Sequence, residues 1–106
     1  VRDKDIIELK ADKRSIGGRT ELDFIFKPHT IQLEKGDTLY MYSDGFADQF
    51  GGEKGKKYLT KRLKQLLVRV STKAINSQKI EIENEFLNWK GSITQLDDVL
   101  LTGIKI

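Results

Sequence analysis

The apolar positions of the chain follow two periods. Leu59, Leu63, Leu66, Leu67 and Val70 recur at spacings of three and four with charged residues between them, which predicts a helix over Lys57 to Val70. Ile75, Ile82, Phe86 and Trp89, flanked by Leu87, predict a second helix from about Lys73 to Trp89, with Gly91 as its stop. Thr38 to Ser43 (TLYMYS) is rich in aromatic and long apolar side chains and predicts a strand. Val99 to Ile106 (VLLTGIKI) is almost continuously apolar, the pattern of a strand buried in the middle of a sheet. Asp5 to Lys10 (DIIELK) predicts a short strand. Phe24 to Leu33 predicts another, which Pro28 bends or places at an edge. Glu34-Lys35-Gly36-Asp37 reads as a tight turn with Gly36 supplying a positive φ, so the segments on either side of it are expected to form a β-hairpin. Ala11 to Thr20, polar and carrying Gly17-Gly18, reads as a loop. Strands and helices are segregated along the chain. The expected class is therefore α+β, an antiparallel β-sheet with two helices.

Composition narrows the picture. At 106 residues the chain fits one small domain or part of a larger one. It starts at Val1, already in strand-like sequence, and is expected to be a piece of a longer parent. With 38% apolar and 33% charged residues it is globular in character. No Cys is present, which excludes disulfides, thiol catalysis and Cys-ligated zinc and fits a reducing cytosol. A cytoplasmic location is expected. No apolar run approaches the ~20 residues of a membrane span, so no membrane contact is expected of this segment, although a parent has room upstream for a sensor or a membrane segment. The net charge of +3 is too small and too dispersed for a nucleic-acid binder. Only Lys54, Lys56, Lys57, Lys61, Arg62 and Lys64 form a basic stretch. It reads first as a solvated helix face and second as a phosphate-binding surface. His29, the single His, has no Cys or second His to share a metal with, and Trp89 reads as core.

Two acidic sites remain. Asp44 stands where the strand Thr38 to Ser43 ends, and Gly45 follows it, a residue that lets backbone approach an ion closely. Asp97 and Asp98 stand just before the final apolar strand, where two adjacent carboxylates are costly unless something positive neutralises them. Strand ends meeting in one sheet would bring Asp44 and Asp97 together, and hard divalent cations take oxygen ligands of this kind. Each site also has an ordinary reading: an Asp-Gly turn for the first, a solvated loop or helix cap for the second.

The segment from Gly36 to Gly52 (GDTLYMYSDGFADQFGG) resembles the motif of Gly-Asp, apolar strand and Ser/Thr-Asp-Gly in the SpoIIE-like branch of the metal-dependent (PPM-type) protein phosphatases. Trp89-Lys90-Gly91 and Gln95 to Leu101 (QLDDVLL) are similar to that branch's ending, and Ser15 to Gly18 (SIGG) resembles its Ile-Gly loop. The resemblance runs from about Ile6 to Ile106. It implies that residues 1–106 are the C-terminal portion of a β-sandwich flanked by helices. In such a domain two Mn²⁺ or Mg²⁺ ions activate a water that hydrolyses phosphoserine or phosphothreonine on a bacterial signalling partner. Position by position, it makes Asp44 a ligand of one ion and Asp97 of the other, with Asp98 supporting and Gly45 beside the site. The implied partner is a phosphorylated regulatory protein.

The family pattern also includes an earlier Asp-Gly pair whose Asp bridges both ions. No Asp-Gly precedes Ser43, since Asp3, Asp5, Asp12 and Asp23 lack the Gly. The chain by itself is therefore expected to be inactive. Its alternative role is a non-catalytic sensing or docking module derived from the same fold. An uncovered sheet face or edge is expected to pair with a second copy as a homodimer.

Overall fold

A computed structural model describes residues 1–9 and 30–106. Seven elements follow in order: β1 (Thr38–Tyr42), α1 (Gly45–Asp48), β2 (Phe50–Gly51), β3 (Lys56–Lys57), α2 (Thr60–Val70), α3 (Ile75–Lys90) and β4 (Leu101–Lys105). The fold is α+β, with two small antiparallel sheets among the described residues. β1 pairs with β4, from Thr38 opposite Lys105 to Tyr42 opposite Leu101. β2 pairs with β3 as a short hairpin, Phe50 opposite Lys57.

The two-residue period of a strand sorts the β1–β4 side chains onto two faces. Tyr40, Tyr42 and Leu101 pack against the core. A Cβ at Gly103 would lie 3.1 Å from the Tyr40 ring, so the missing side chain makes room for it. On the other face Met41 and Ile104 are 56% and 45% exposed. The core itself is Phe46, Tyr58, Leu63, Leu66, Leu67, Val70, Ile82 and Phe86. The Phe46 ring meets those of Tyr58 and Phe86 with centroids 5.0 Å apart in each case, tilted as ring quadrupoles favour.

Both predicted helices form. The apolar stripe of α2 is buried from Leu63 to Val70, while Leu59 lies outside the helix at φ 78° and is exposed. The α3 stripe is narrower. Ile82 and Phe86 are buried, Trp89 is partly so, and Ile75 and Leu87 are exposed. Gly91 ends α3 at φ 53°, as expected. The turn at Gly36 also forms, with φ 96° and the Asp37 N–H donating to the Glu34 carbonyl.

Two strand expectations are corrected among the described residues. Residues 5–9 form no strand, only an isolated Arg2–Asp5 bridge, and among the described residues nothing pairs with Ile6 and Ile7. Residues 30–33 form no strand either, and among the described residues β1 pairs with β4. Residues 24–29 of that segment, Lys10, the Gly17-Gly18 loop, Ser15-Ile16, Pro28 and His29 lie outside the described residues. The expected final strand forms over Leu101–Lys105. Among the described residues it pairs only with β1, and three of its five residues, Thr102, Ile104 and Lys105, are exposed.

Candidate metal site

Asp37 fixes the entry to the strand that carries the site. It is buried, and both its carboxylate oxygens accept from Arg2: Nε donates to Oδ1 at 3.0 Å and an NH2 group to Oδ2 at 2.9 Å. The Glu34 N–H adds a third bond to Oδ2 at 2.8 Å. The Arg2 hydrogen bonds, then the Glu34 amide, hold the Asp37 carboxyl at about 2, below the usual carboxylate value. Asp37 is thus committed to structure: it locks the turn and ties residue 2 to the start of β1.

At the other end of β1 the chain turns through Ser43 and Asp44 into α1. Asp44 is the N-cap residue of that four-residue helix, with φ −70°, and its carboxylate makes no cap hydrogen bond. The side chain is exposed, and among the described residues it forms no ion pair. Its backbone carbonyl accepts from the Asp48 N–H at 2.9 Å.

Ser43 connects this turn to the second acidic site. Its N–H donates to the Leu100 carbonyl at 2.9 Å, which prolongs the β1–β4 ladder by one bond. Its hydroxyl donates to the Asp98 carbonyl at 3.3 Å and accepts from the Leu100 N–H at 3.1 Å. Gly45 closes the contact, because a Cβ there would stand 2.1 Å from the Asp98 carbonyl oxygen. The Ser43-Asp44-Gly45 turn and the Asp97-Asp98 segment are therefore held against each other through backbone. Asp97 and Asp98 are both exposed, and neither forms an ion pair among the described residues. Asp97 Oδ1 accepts from the Asp98 N–H at 2.8 Å, and its carbonyl accepts from Gln95 Nε2 at 2.9 Å.

The donors fit a hard divalent cation in kind: carboxylates, accessible, and not neutralised by Lys or Arg. Among the described residues no group of three or more His, Asp or Glu side chains is gathered closely enough to hold an ion. Asp44, Asp97 and Asp98 lie on two segments that touch through Ser43, Gly45 and the Asp98 backbone. Sequence reasoning found these carboxylates and Gly45, but not Ser43 as the clamp between them. The signal was present in the Ser-Asp-Gly triplet, where a short hydroxyl at a strand end can take up two backbone groups of a neighbouring strand.

The region beyond α1 is anchored to α3. Trp89 Nε1 donates to the Gln49 carbonyl and the Gly52 N–H donates to the Trp89 carbonyl, each at 2.9 Å. No helix among the described residues is long and apolar enough to cross a membrane.

Comparison with known proteins agrees with this architecture. The family described as Stage II sporulation protein E (SpoIIE) matches residues 2–106. Among solved structures, the SiaA-PP2C domain of Pseudomonas aeruginosa superimposes with a TM-score of 0.84 at 24% sequence identity. The match covers 99% of this chain and 41% of that one, so the chain spans less than half of its structural relative, and the likeness is one of fold. No curated protein matches.

Proposed function

Because this chain belongs to the SpoIIE family, a family of metal-dependent phosphatase type, we propose that it is the part of a protein serine/threonine phosphatase that brings Asp44 and Asp97 to the metal centre. The observation that carries the reading is the clamp of Ser43 and Gly45 on the Asp98 backbone, which holds two acidic strand ends side by side. Asp44 would bind one Mn²⁺ or Mg²⁺ ion and Asp97 a second, with Asp98 in support. The remaining ligands come from sequence outside the described residues. When bound, the ions supply an activated water and neutralise the charge that builds on the phosphoryl oxygens.

The chain's own contribution is position. Ser43 fixes the distance between the two segments. Gly45 removes the side chain that would push them apart. Asp44 is left free of capping and ion pairing, so its oxygens face solvent as acceptors. The substrate class is a phosphoserine or phosphothreonine on a regulatory protein, and the chain without its missing ligands is inactive.

Release of inorganic phosphate from a phosphoserine protein by the protein that carries this chain tests the proposal. Hydrolysis should require Mn²⁺ or Mg²⁺ and stop on chelation. A chelator-insensitive rate, or no rate with any divalent ion, would count against it; the latter would favour the non-catalytic docking module.

A further inference from the structure

The net positive charge of the chain is concentrated in one place. Lys54, Lys56, Lys57, Lys61, Arg62 and Lys64 are six basic residues with no acid among them. Set these six aside from the 19 basic residues, and the remaining 13 are outnumbered by the 16 acidic ones. The fold mounts this segment on the β2–β3 hairpin and the first turn of α2, where residues 52–57 and 60–62 are exposed.

The mount is stiff although its outer surface is open. The hairpin root is bonded to Trp89 through its indole N–H and its carbonyl. A Cβ at Gly51 would stand 1.9 Å from that same carbonyl oxygen, so the two chains touch directly. The Arg62 guanidinium lies 4.2 Å from the Trp89 ring and 4.8 Å from the Tyr58 ring, held by stacking with its charge toward solvent. Local neutralisation is slight. Lys57 approaches Asp48 at 3.9 Å, Lys64 pairs with Glu8, and Glu53 is the one acid in the hairpin turn. The stacked Arg62 loses little side-chain freedom when an anionic partner arrives, which lowers its cost of binding.

The hairpin begins at Phe50, one short helix after Asp44. Lys57 lies 3.9 Å from Asp48, the last residue of the short helix that Asp44 begins, which sets the basic side of the hairpin beside that helix. We propose that the β2–β3 hairpin is a docking surface for an acidic protein segment flanking the phosphorylated residue. This rests on the phosphatase reading for the phosphoserine, while the docking is read by binding alone.

The test uses the protein that carries this chain and two fluorescent peptides. One has a phosphoserine between Asp/Glu flanks, the other the same phosphoserine between Ser/Gln flanks. Anisotropy should show about tenfold tighter binding of the acidic peptide at low salt, the scale expected of three exposed ion pairs. The preference should fall toward equality at ~0.5 M salt, where the screening length is only a few ångströms. The K54E/K56E/K57E variant should lose the preference and keep its thermal midpoint and its hydrolysis of p-nitrophenyl phosphate. Equal affinity for the two peptides, or a preference that survives in the variant, would overturn the proposal. So would tighter binding of duplex DNA or anionic vesicles than of the acidic peptide. A protein that shows the preference yet hydrolyses no phosphomonoester would refute the phosphatase reading and leave the docking surface standing.

Discussion

The carbonyl oxygen of Asp98 occupies the space beside Gly45, so close that a Cβ on residue 45 would lie 2.1 Å from it. The atom in the way is backbone and cannot swing aside. Gly45→Ala must therefore separate the Asp44 turn from the Asp97-Asp98 segment. The expected cost is about 1–3 kcal/mol of stability, the range for overpacked sites, together with weakened metal binding. Urea unfolding of the variant measures the first. Ser43→Ala, which deletes the hydroxyl between Asp98 and Leu100, should cost about 1 kcal/mol. A Gly45→Ala protein as stable as the parent would mean that the two segments are not in contact.

Arg2 and Asp37 give a pH signature. The Asp37 carboxyl is held at about 2, against 3.8 for the free group, first by its hydrogen bonds from Arg2. A carboxyl whose folded pKa is depressed stabilises the fold above its unfolded pKa and loses that contribution as pH falls through the folded value. The wild type should therefore lose this stability between pH ~4 and ~2. In Arg2→Gln the gap between folded and unfolded pKa narrows. Its thermal midpoint should lie below the wild type's at neutral pH, and the two should converge toward pH ~2. A difference independent of pH would show that Arg2 acts through packing rather than through Asp37.

Gln78 is a buried polar side chain in the apolar face of α3. Its Oε1 accepts from the Tyr40 hydroxyl at 2.5 Å, and its Nε2 donates to the Lys73 and Ser71 carbonyls at 2.9 and 3.4 Å. Gln78→Leu keeps the volume and leaves these partners unsatisfied, so a loss of about 1–3 kcal/mol is expected. Tyr40→Phe made in the Gln78→Leu background should cost less than Tyr40→Phe alone. Additive losses in that cycle, measured by chemical denaturation, would rule out a shared bond.

Gln78 also shows why part of the structure was not legible in the sequence. The α2 helix was readable because Leu63, Leu66, Leu67 and Val70 repeat at the helical period. In α3 the residue buried one turn before Ile82 is polar, and apolar periodicity passes over it. α1 has four residues, too few to show a period. The strands of the β2–β3 hairpin have two residues each, a Phe-Gly and a Lys-Lys, with no alternation to detect. Val99 to Ile106 is nearly all apolar, a run able to bury both faces, and among the described residues Leu100 and Ile104 are exposed at 66% and 45%. Composition reports what a strand can bury, not whether something covers it. The site followed the same rule. Asp44, Gly45, Asp97 and Asp98 stood out as charges and a glycine at strand ends, while the hydroxyl of Ser43, which joins the two ends, carried no pattern of its own.

Asp44 and Asp97 are proposed as metal ligands of a phosphatase centre. The most direct measurement is the Mn²⁺ activation curve of phosphoserine hydrolysis for the wild-type protein, Asp44→Asn and Asp97→Asn, each confirmed folded by its thermal midpoint. Both variants should need more Mn²⁺ for half-maximal activity. Each should lose more than about 100-fold in rate at fixed Mn²⁺, beyond the usual effect of removing an outer-shell partner. Activation curves that coincide with the wild type in both variants would contradict the claim.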